Sequence, residues 1–287
     1  MNTNTEPTVG SKPADVYFFG TCLLDIFMPE AGMDAITLIE QQGIRVHFPM
    51  AQSCCGQPAF TSGHPKEAFE IAKAQLDLFP ENWPIVVPSG SCGGMMKHHW
   101  PDVFKGSRYE SQAQKVADRV VEFTHFLLDI GYTPEDKGDN IKVAVHTSCG
   151  ARREMGVHIT GWKLIDSLKN VERVVHDHES ECCGFGGTFS VKQSDISGNI
   201  MNDKVTMLKE TQVTEIVSNA REALTDKPLC KILCTAMNML MTKRKIVLSD
   251  EQELQMLCTL CKHIRQRSLS KRLICWNSWK AISPNWV

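Results

Sequence analysis

No run of the 287 residues is apolar for long enough to cross a bilayer, which takes about 20 such residues in a helix. A basic-then-apolar leader is missing too: Met1 to Ala14 is polar and holds Thr, Asn and Pro, so a secretory signal is not expected. Nor does charge of one sign dominate. The 31 Lys and Arg stand against 33 Asp and Glu, a net charge of −2, which gives no general electrostatic reason to expect nucleic acid or an anionic membrane as partner. These absences point to a cytoplasmic protein with no transmembrane segment. The composition, 42% apolar and 22% charged, is that of a globular chain with room for one large domain or two modest ones.

Cysteine is what the sequence has in excess. Twelve thiols in a reducing compartment are poor candidates for structural disulfides, and metal binding or thiol chemistry is the better default. Scattered cysteines would read as small buried hydrophobes, but these recur in a pattern. Cys22, Cys54-Cys55-Gly56 and Cys92 come first; Cys149 and Cys182-Cys183-Gly184 follow. Cys22 and Cys149 stand 127 positions apart, Cys55 and Cys183 128 apart. The flanks agree. Val16-Tyr17-Phe18-Phe19-Gly20-Thr21-Cys22 and Val143-Ala144-Val145-His146-Thr147-Ser148-Cys149 are each an apolar run ending in a small-residue turn and a cysteine. Such self-similarity marks a duplicated structural unit.

Periodicity gives the coarse architecture. Ile85 to Val87 and Ile141 to Val145 read as buried strands. Lys66 to Phe79 sets Ala68, Phe69, Ala72, Leu76 and Phe79 at helical spacing, and Val116 to Ile130 does the same with Val120, Phe123, Leu127 and Ile130. Strand followed by helix, twice over, predicts an α/β fold of two pseudo-repeated units with parallel sheets. The expected divisions are a disordered N-terminus at 1–14, a first Cys-Cys-Gly module at 15–131, a second, truncated one at 141–218, and a tail of uncertain fold at 219–287. Gly131 to Asn140, rich in Gly, Pro, Asp and Glu, is the expected linker. Cys22, Cys92 and Cys149 each follow a strand-like run at its carboxyl end, where open α/β sheets bind ligands. Thiolates converging there repel one another unless a cation compensates them, and a metal both does so and deprotonates the thiols.

At these residues the sequence resembles a known family. Ser53-Cys54-Cys55-Gly56-Gln57-Pro58, Pro88-Ser89-Gly90-Ser91-Cys92 and Glu181-Cys182-Cys183-Gly184-Phe185-Gly186-Gly187-Thr188-Phe189-Ser190 look like the cysteine-rich CCG-domain iron–sulfur oxidoreductases. That family includes the CCG-bearing component of heterodisulfide reductase, the glycolate oxidase iron–sulfur subunit and, nearest in pattern, lactate utilisation protein A. The resemblance covers Val16 to Ser218. It implies an iron–sulfur electron-transfer subunit of an L-lactate-oxidising system, turning lactate into pyruvate alongside partner subunits that include a ferredoxin-like iron–sulfur protein. It implies a cluster of 4Fe-4S type, or zinc as in some relatives. Carried over by position, the first site would use Cys22, Cys54, Cys55 and Cys92, and the second Cys149, Cys182 and Cys183.

Two departures bear on the sites. Cys92 is followed by Gly93-Gly94-Met95, so the family's closing Cys-x-x-Cys is reduced to one cysteine, and the counterpart of Cys92 by the repeat offset is Ala220. From Asn219 the texture changes: Met237, Met239 and Met241, a basic stretch through Lys262 to Arg272, and Trp276, Trp279 and Trp286. A tail out of register with the family, as from a shifted reading frame, would account for this and leave the second site with three thiols. Cys230 and Cys234, with Cys258-x-x-Cys261, make a zinc-knuckle-like half-site or nothing.

The other polar features each carry two readings. His98-His99 and His176-Asp177-His178 are imidazoles near the cysteines, with the plainer reading a helix surface and a solvated loop. His146, three residues before Cys149, is placed to donate a hydrogen bond near the ligands and tune them. Arg152-Arg153 either steers an anionic partner or opens a solvated helix. Two further functions compete with electron transfer: reduction of a disulfide by a cluster beside a Cys-Cys pair, and a zinc-stabilised scaffold with no redox chemistry.

Overall fold

The computed structural model describes residues 12–27, 29–135, 139–176, 178–186, 189–213 and 215–218. The chain builds two parallel sheets. In the first, β1 (Asp15–Phe18) is followed by α1 (Cys22–Phe27), α2 (Pro29–Gln41), β2 (Arg45–His47), α3 (Gln57–Thr61), α4 (Pro65–Leu76) and β3 (Ile85–Val87). Next come α5 (Gly90–Gly94), a π-helical turn (Met95–His99), α6 (Trp100–Val103), α7 (Glu110–Arg119), β4 (Val120–Glu122) and α8 (Phe123–Asp129). The second unit runs β5 (Ile141–His146), α9 (Cys149–Arg153), α10 (Val157–Asp166), β6 (Val171–Val174), α11 (Phe189–Lys192), α12 (Ser194–Glu210) and β7 (Glu215–Ser218).

The expected α/β architecture of two repeated parallel units is what forms. The strand orders are β2-β1-β3-β4 and β6-β5-β7, so the second sheet repeats the first three strands of the first. The registers repeat as well. Asp15 pairs with Arg45, and Lys142 with Glu172, each residue 127 positions from its counterpart. At the third strand the offset grows: Phe18 pairs with Val86, but Val145 with Val217, 131 positions beyond Val86. The period-two alternation of β1 splits the first unit's interior in two. Val16 and Phe18 join α2 and α8 on one face, while Tyr17 and Phe19 join α4 and Trp100 on the other.

One expected element is different. The stripe from Val116 to Ile130 is not a single helix, because Val120, Val121 and Glu122 leave it to pair with Ile85, Val86 and Val87 as a parallel edge strand. The β-branched pair at 120–121 suits a strand, and its insertion keeps Val120, Phe123, Leu127 and Ile130 buried, as the helical spacing required. The Lys66 to Phe79 stripe does become α4, burying Ala68, Ile71, Ala72 and Leu76.

The units meet at two crossings. α5 lies against α9 so closely that a Cβ on Gly90 would come within 2.4 Å of the Cβ of Ala151, and one on Gly150 within 3.1 Å of the Ser91 Cα. At the other, Leu164 of α10 packs with Phe123, Phe126 and Leu127 of α8. Beside it Glu122, buried at 1% exposure, caps α8: its Oε2 accepts from the Thr124 N–H at 2.8 Å and the Thr124 hydroxyl at 2.5 Å. That hydroxyl also lies 2.7 Å from the Thr160 hydroxyl of α10. The Glu122 Oε1 has no protein partner, and burial pushes the carboxyl up to about 7 from its usual 4.5.

The folded state binds the Glu122 proton more tightly than the unfolded chain, so stability present below about pH 4.5 is lost as pH rises towards 7. The loss is on the order of 3 kcal/mol for a shift of this size. Glu122→Gln keeps the cap acceptor and removes the titration. Thermal unfolding at pH 5 and pH 8 should show the parent losing markedly more stability than the variant; equal losses would refute the assignment.

Candidate functional site

Every described cysteine sits in, or just past, the turn that leaves the carboxyl end of a parallel strand. Cys22 opens α1 after β1, Cys54 and Cys55 lie between β2 and α3, and Cys92 is in α5 after β3. The three strands are neighbours in one sheet, so their turns share one edge. Cys54, Cys55 and Cys92 are buried and share one apolar core, against which the half-buried Cys22 packs.

The loop carrying the first pair is held by neutral groups. Gln52 donates to the Phe18 carbonyl at 3.0 Å and accepts from the Gly20 N–H at 3.0 Å, tying the turn after β2 to the end of β1. The Gln75 amide of α4 accepts from the Ser53 N–H and donates to its hydroxyl, both at 2.9 Å. The Trp100 indole, fully buried, donates to the Cys55 carbonyl at 2.9 Å. The backbone conformation of the motif requires its glycine. Gly56 takes φ +89°, which other residues rarely adopt, and aims its N–H at the Cys54 Sγ, 3.4 Å away.

In the second unit Cys149 opens α9 after β5, and Cys182 and Cys183 follow β6. Gly184 repeats the role of Gly56: its φ is +82°, and its N–H donates to the Cys182 Sγ at 3.3 Å. α12 crosses directly over it, with the Ser197 hydroxyl donating to the Gly184 carbonyl at 2.7 Å. Cys183 is buried, while Cys149 and Cys182 are exposed. The third strand brings nothing comparable into view. β7 ends at Ser218, and its register moves the counterpart of Cys92 from Ala220 to Ala223, outside the described residues. No cysteine stands between Cys183 and Cys230.

Burial and neighbouring sulfurs hold the proton on Cys55, Cys149 and Cys183. Cys55 is raised well above the usual thiol range, first by its hydrogen bonds with Cys54 and Cys92 and then by burial. Cys149 is raised by desolvation of its sulfur and by the nearby Cys182 and Cys183. Among the described residues, no group of three or more His, Cys, Asp and Glu is arranged to hold a metal ion as it stands. The donor chemistry nonetheless suits a soft metal or an iron–sulfur cluster: four thiols at one sheet edge in the first unit, three in the second, and a backbone N–H on a sulfur in each. Binding would have to displace the thiol protons, as metals do.

The basic residues are more involved than their spacing implied. Arg152 is not solvated: its guanidinium donates to the Thr147 hydroxyl at 3.1 Å and to Glu179 at 2.9 Å, with both ends of the ion pair largely buried. His146 is buried, and burial, with Lys204, His176 and Arg152 nearby, pushes it down to about 3, so the ring is neutral. Its Nδ1 has no protein partner. His98 and His99 face Glu154 across the units rather than the thiols, at 3.1 and 3.3 Å, and His178 pairs with Glu181 at 2.6 Å. Gln52, Gln75 and Lys204 escaped the sequence reading. A polar residue inside the apolar stripe of α4 was the available signal for Gln75.

Comparison with known proteins agrees with this geometry. The model of the cysteine-rich domain family CCG matches residues 16–97 and 143–222. "Lactate utilization protein A" of Geobacillus sp. (strain WCH70) is 40% identical over 205 residues, covering 70% of this chain and 85% of that protein. The protein of the same name from Anoxybacillus flavithermus is 39% identical over 206 residues, 71% and 86% of the two chains. That from Macrococcus caseolyticus is 38% identical over 204, 70% and 83%.

A matched pair of substitutions isolates the motif glycine. Gly63 and Gly184 share φ +82°, but a Cβ on Gly63 meets nothing within 4 Å, whereas one on Gly184 falls 2.4 Å from the Ser197 carbonyl oxygen. Gly63→Ala should cost about 1 kcal/mol, the backbone strain alone. Gly184→Ala should cost clearly more in thermal or denaturant unfolding; equal costs would mean that the α12 crossing does not need a glycine.

Proposed function

Since the chain belongs to the cysteine-rich CCG-domain family, we propose that it is the iron–sulfur electron-transfer subunit of a lactate-utilisation system, working with partner subunits that oxidise L-lactate to pyruvate. The observation that carries this reading is the convergence of Cys54, Cys55 and Cys92, with Cys22 against them, at the carboxyl edge of one parallel sheet. The names of the relatives supply the substrate. Cys22, Cys54, Cys55 and Cys92 would hold the first group, and Cys149, Cys182 and Cys183 the second. When bound, an iron–sulfur cluster supplies one-electron acceptance and release.

The chain's own residues then have separable tasks. Gly56 and Gly184 offer N–H groups to sulfur, which stabilises added negative charge on it. Trp100, Phe19, Met95 and Met96, all fully buried, keep water from the first thiols. Gln52 and Gln75 hold the loop in place without adding charge. Among the described residues no helix is long and apolar enough to cross a membrane, consistent with exchange between soluble partners.

Anaerobically purified protein should be brown and contain iron and sulfide in comparable amounts. Colourless protein with stoichiometric zinc would replace this reading by a structural one. Cys55→Ser should deplete iron from the first site and abolish lactate-dependent electron transfer in the assembled system, while Cys275→Ser, in the tail at 219–287 outside both cysteine patterns, should do neither. Unchanged iron in the Cys55 variant would overturn the assignment of that site.

A further inference from the structure

The two thiol sites are built on the same plan but in different electrostatic surroundings. In each unit a side chain from the helix behind the loop reaches down and fixes the segment just before the Cys-Cys pair. In the first it is Gln75 of α4, which holds Ser53. In the second it is Lys204 of α12, whose Nζ donates to the Glu179 carbonyl at 2.9 Å and to the His178 carbonyl. Gln75 and Lys204 lie 129 positions apart, between the 128 of the Cys-Cys pairs and the 131 of the third strands. They are counterparts, and one is a neutral amide where the other is an ammonium.

Lys204 is 3% exposed, so little solvent screens its charge. The Arg152 guanidinium lies beside it, one turn along α9 from Cys149. Among the described residues the Glu179 carboxylate pairs with Arg152, Glu179 and Glu181 both act on Lys204, and Arg153 acts as a further cation on Cys149. The Lys204 ammonium acts on the Cys183 sulfur electrostatically. In the first site the groups acting on Cys55 are Cys54 and Cys92, with no cation among them.

We propose that Lys204 is a positioning residue that tunes the second site, its buried charge holding a cluster on Cys149, Cys182 and Cys183 at a higher reduction potential than the one on Cys22, Cys54, Cys55 and Cys92. Reduction adds negative charge, which a nearby buried cation stabilises, so the second cluster is the stronger electron acceptor of the two. Electrons then pass downhill from the first unit to the second. The inference rests on the iron–sulfur reading above and adds to it the order of the two sites.

The test uses the full chain in a Cys55→Ser background, where remaining iron belongs to the second site, and reads the cluster's midpoint by spectroscopically monitored redox titration. Lys204→Gln, which installs the first unit's residue, should lower the ratio of reduced to oxidised cluster at fixed potential about tenfold, a midpoint shift of about 59 mV for one electron. Glu179→Gln removes the neighbouring negative charge and should move the midpoint the other way. A loop merely loosened by substitution would not shift in opposite directions for the two changes. Midpoints unchanged, or moved in the same direction, overturn the proposal, as does an iron-free Cys55→Ser chain beside an iron-loaded parent. Absence of iron from the parent itself would instead remove the functional reading beneath it.

Discussion

Each sulfur of the two sites is delivered by the turn at the carboxyl end of a parallel strand, and those turns bury polar backbone that must find partners. This constraint organises much of what surrounds the thiols. In the first unit the partners are uncharged: Gln52 for Phe18 and Gly20, Gln75 for Ser53, Trp100 for Cys55. In the second the partner of the His178 and Glu179 carbonyls is an ammonium, that of Lys204. Duplication preserved the geometry of the turns and left the chemistry of their supports free to diverge. The motif glycine stayed fixed because it does two things that no side chain permits together, a left-handed φ and a close approach of another backbone. Gly56 has the Ala68 carbonyl oxygen 3.2 Å from where a Cβ would stand, and Gly184 has that of Ser197 at 2.4 Å.

The two units also hold each other. α5 and α9 carry Cys92 and Cys149, and they cross at Gly90, Gly150 and Ala151 with no room for larger side chains. Any shift of one unit against the other would therefore move a cysteine-bearing helix directly. Dispersion and burial at α8 and α10 reinforce the crossing, since Leu164 completes a core that otherwise belongs wholly to the first unit. The units are repeats in sequence and parts of one packed body in structure.

Much of this was legible in the sequence. The Cys-Cys-Gly recurrence and the apolar runs before Cys22 and Cys149 gave the duplication, the parallel sheets and the cysteines' location at strand ends. β4 was not legible, because a short edge strand between two helices preserves the helical spacing of buried residues through Val116 to Ile130. Arg152 was misread for a different reason. A pair of arginines at a helix start says nothing of Glu179, which lies 27 positions on and reaches it only through the fold. Lys204 was invisible in the same way: within a polar helix such as α12, nothing local marks the lysine whose amine turns inward.

The offset between the repeats is 127 at the first two strands, 128 at the Cys-Cys pairs and 131 at the third strands, so most of the extra length falls between the second Cys-Cys pair and β7. α12 accordingly runs 17 residues where α4 runs 12. The longer helix crosses Gly184 and brings Lys204 over the loop. The same lengthening moves the place of the missing thiol from Ala220 to Ala223, and neither is a ligand. A site that has three thiols and a buried ammonium carries less negative charge than one with four thiols and none. On the iron–sulfur reading proposed above, both differences between the units would push the second towards accepting electrons, and they arise from separate segments of the chain, one inside α12 and the other beyond β7.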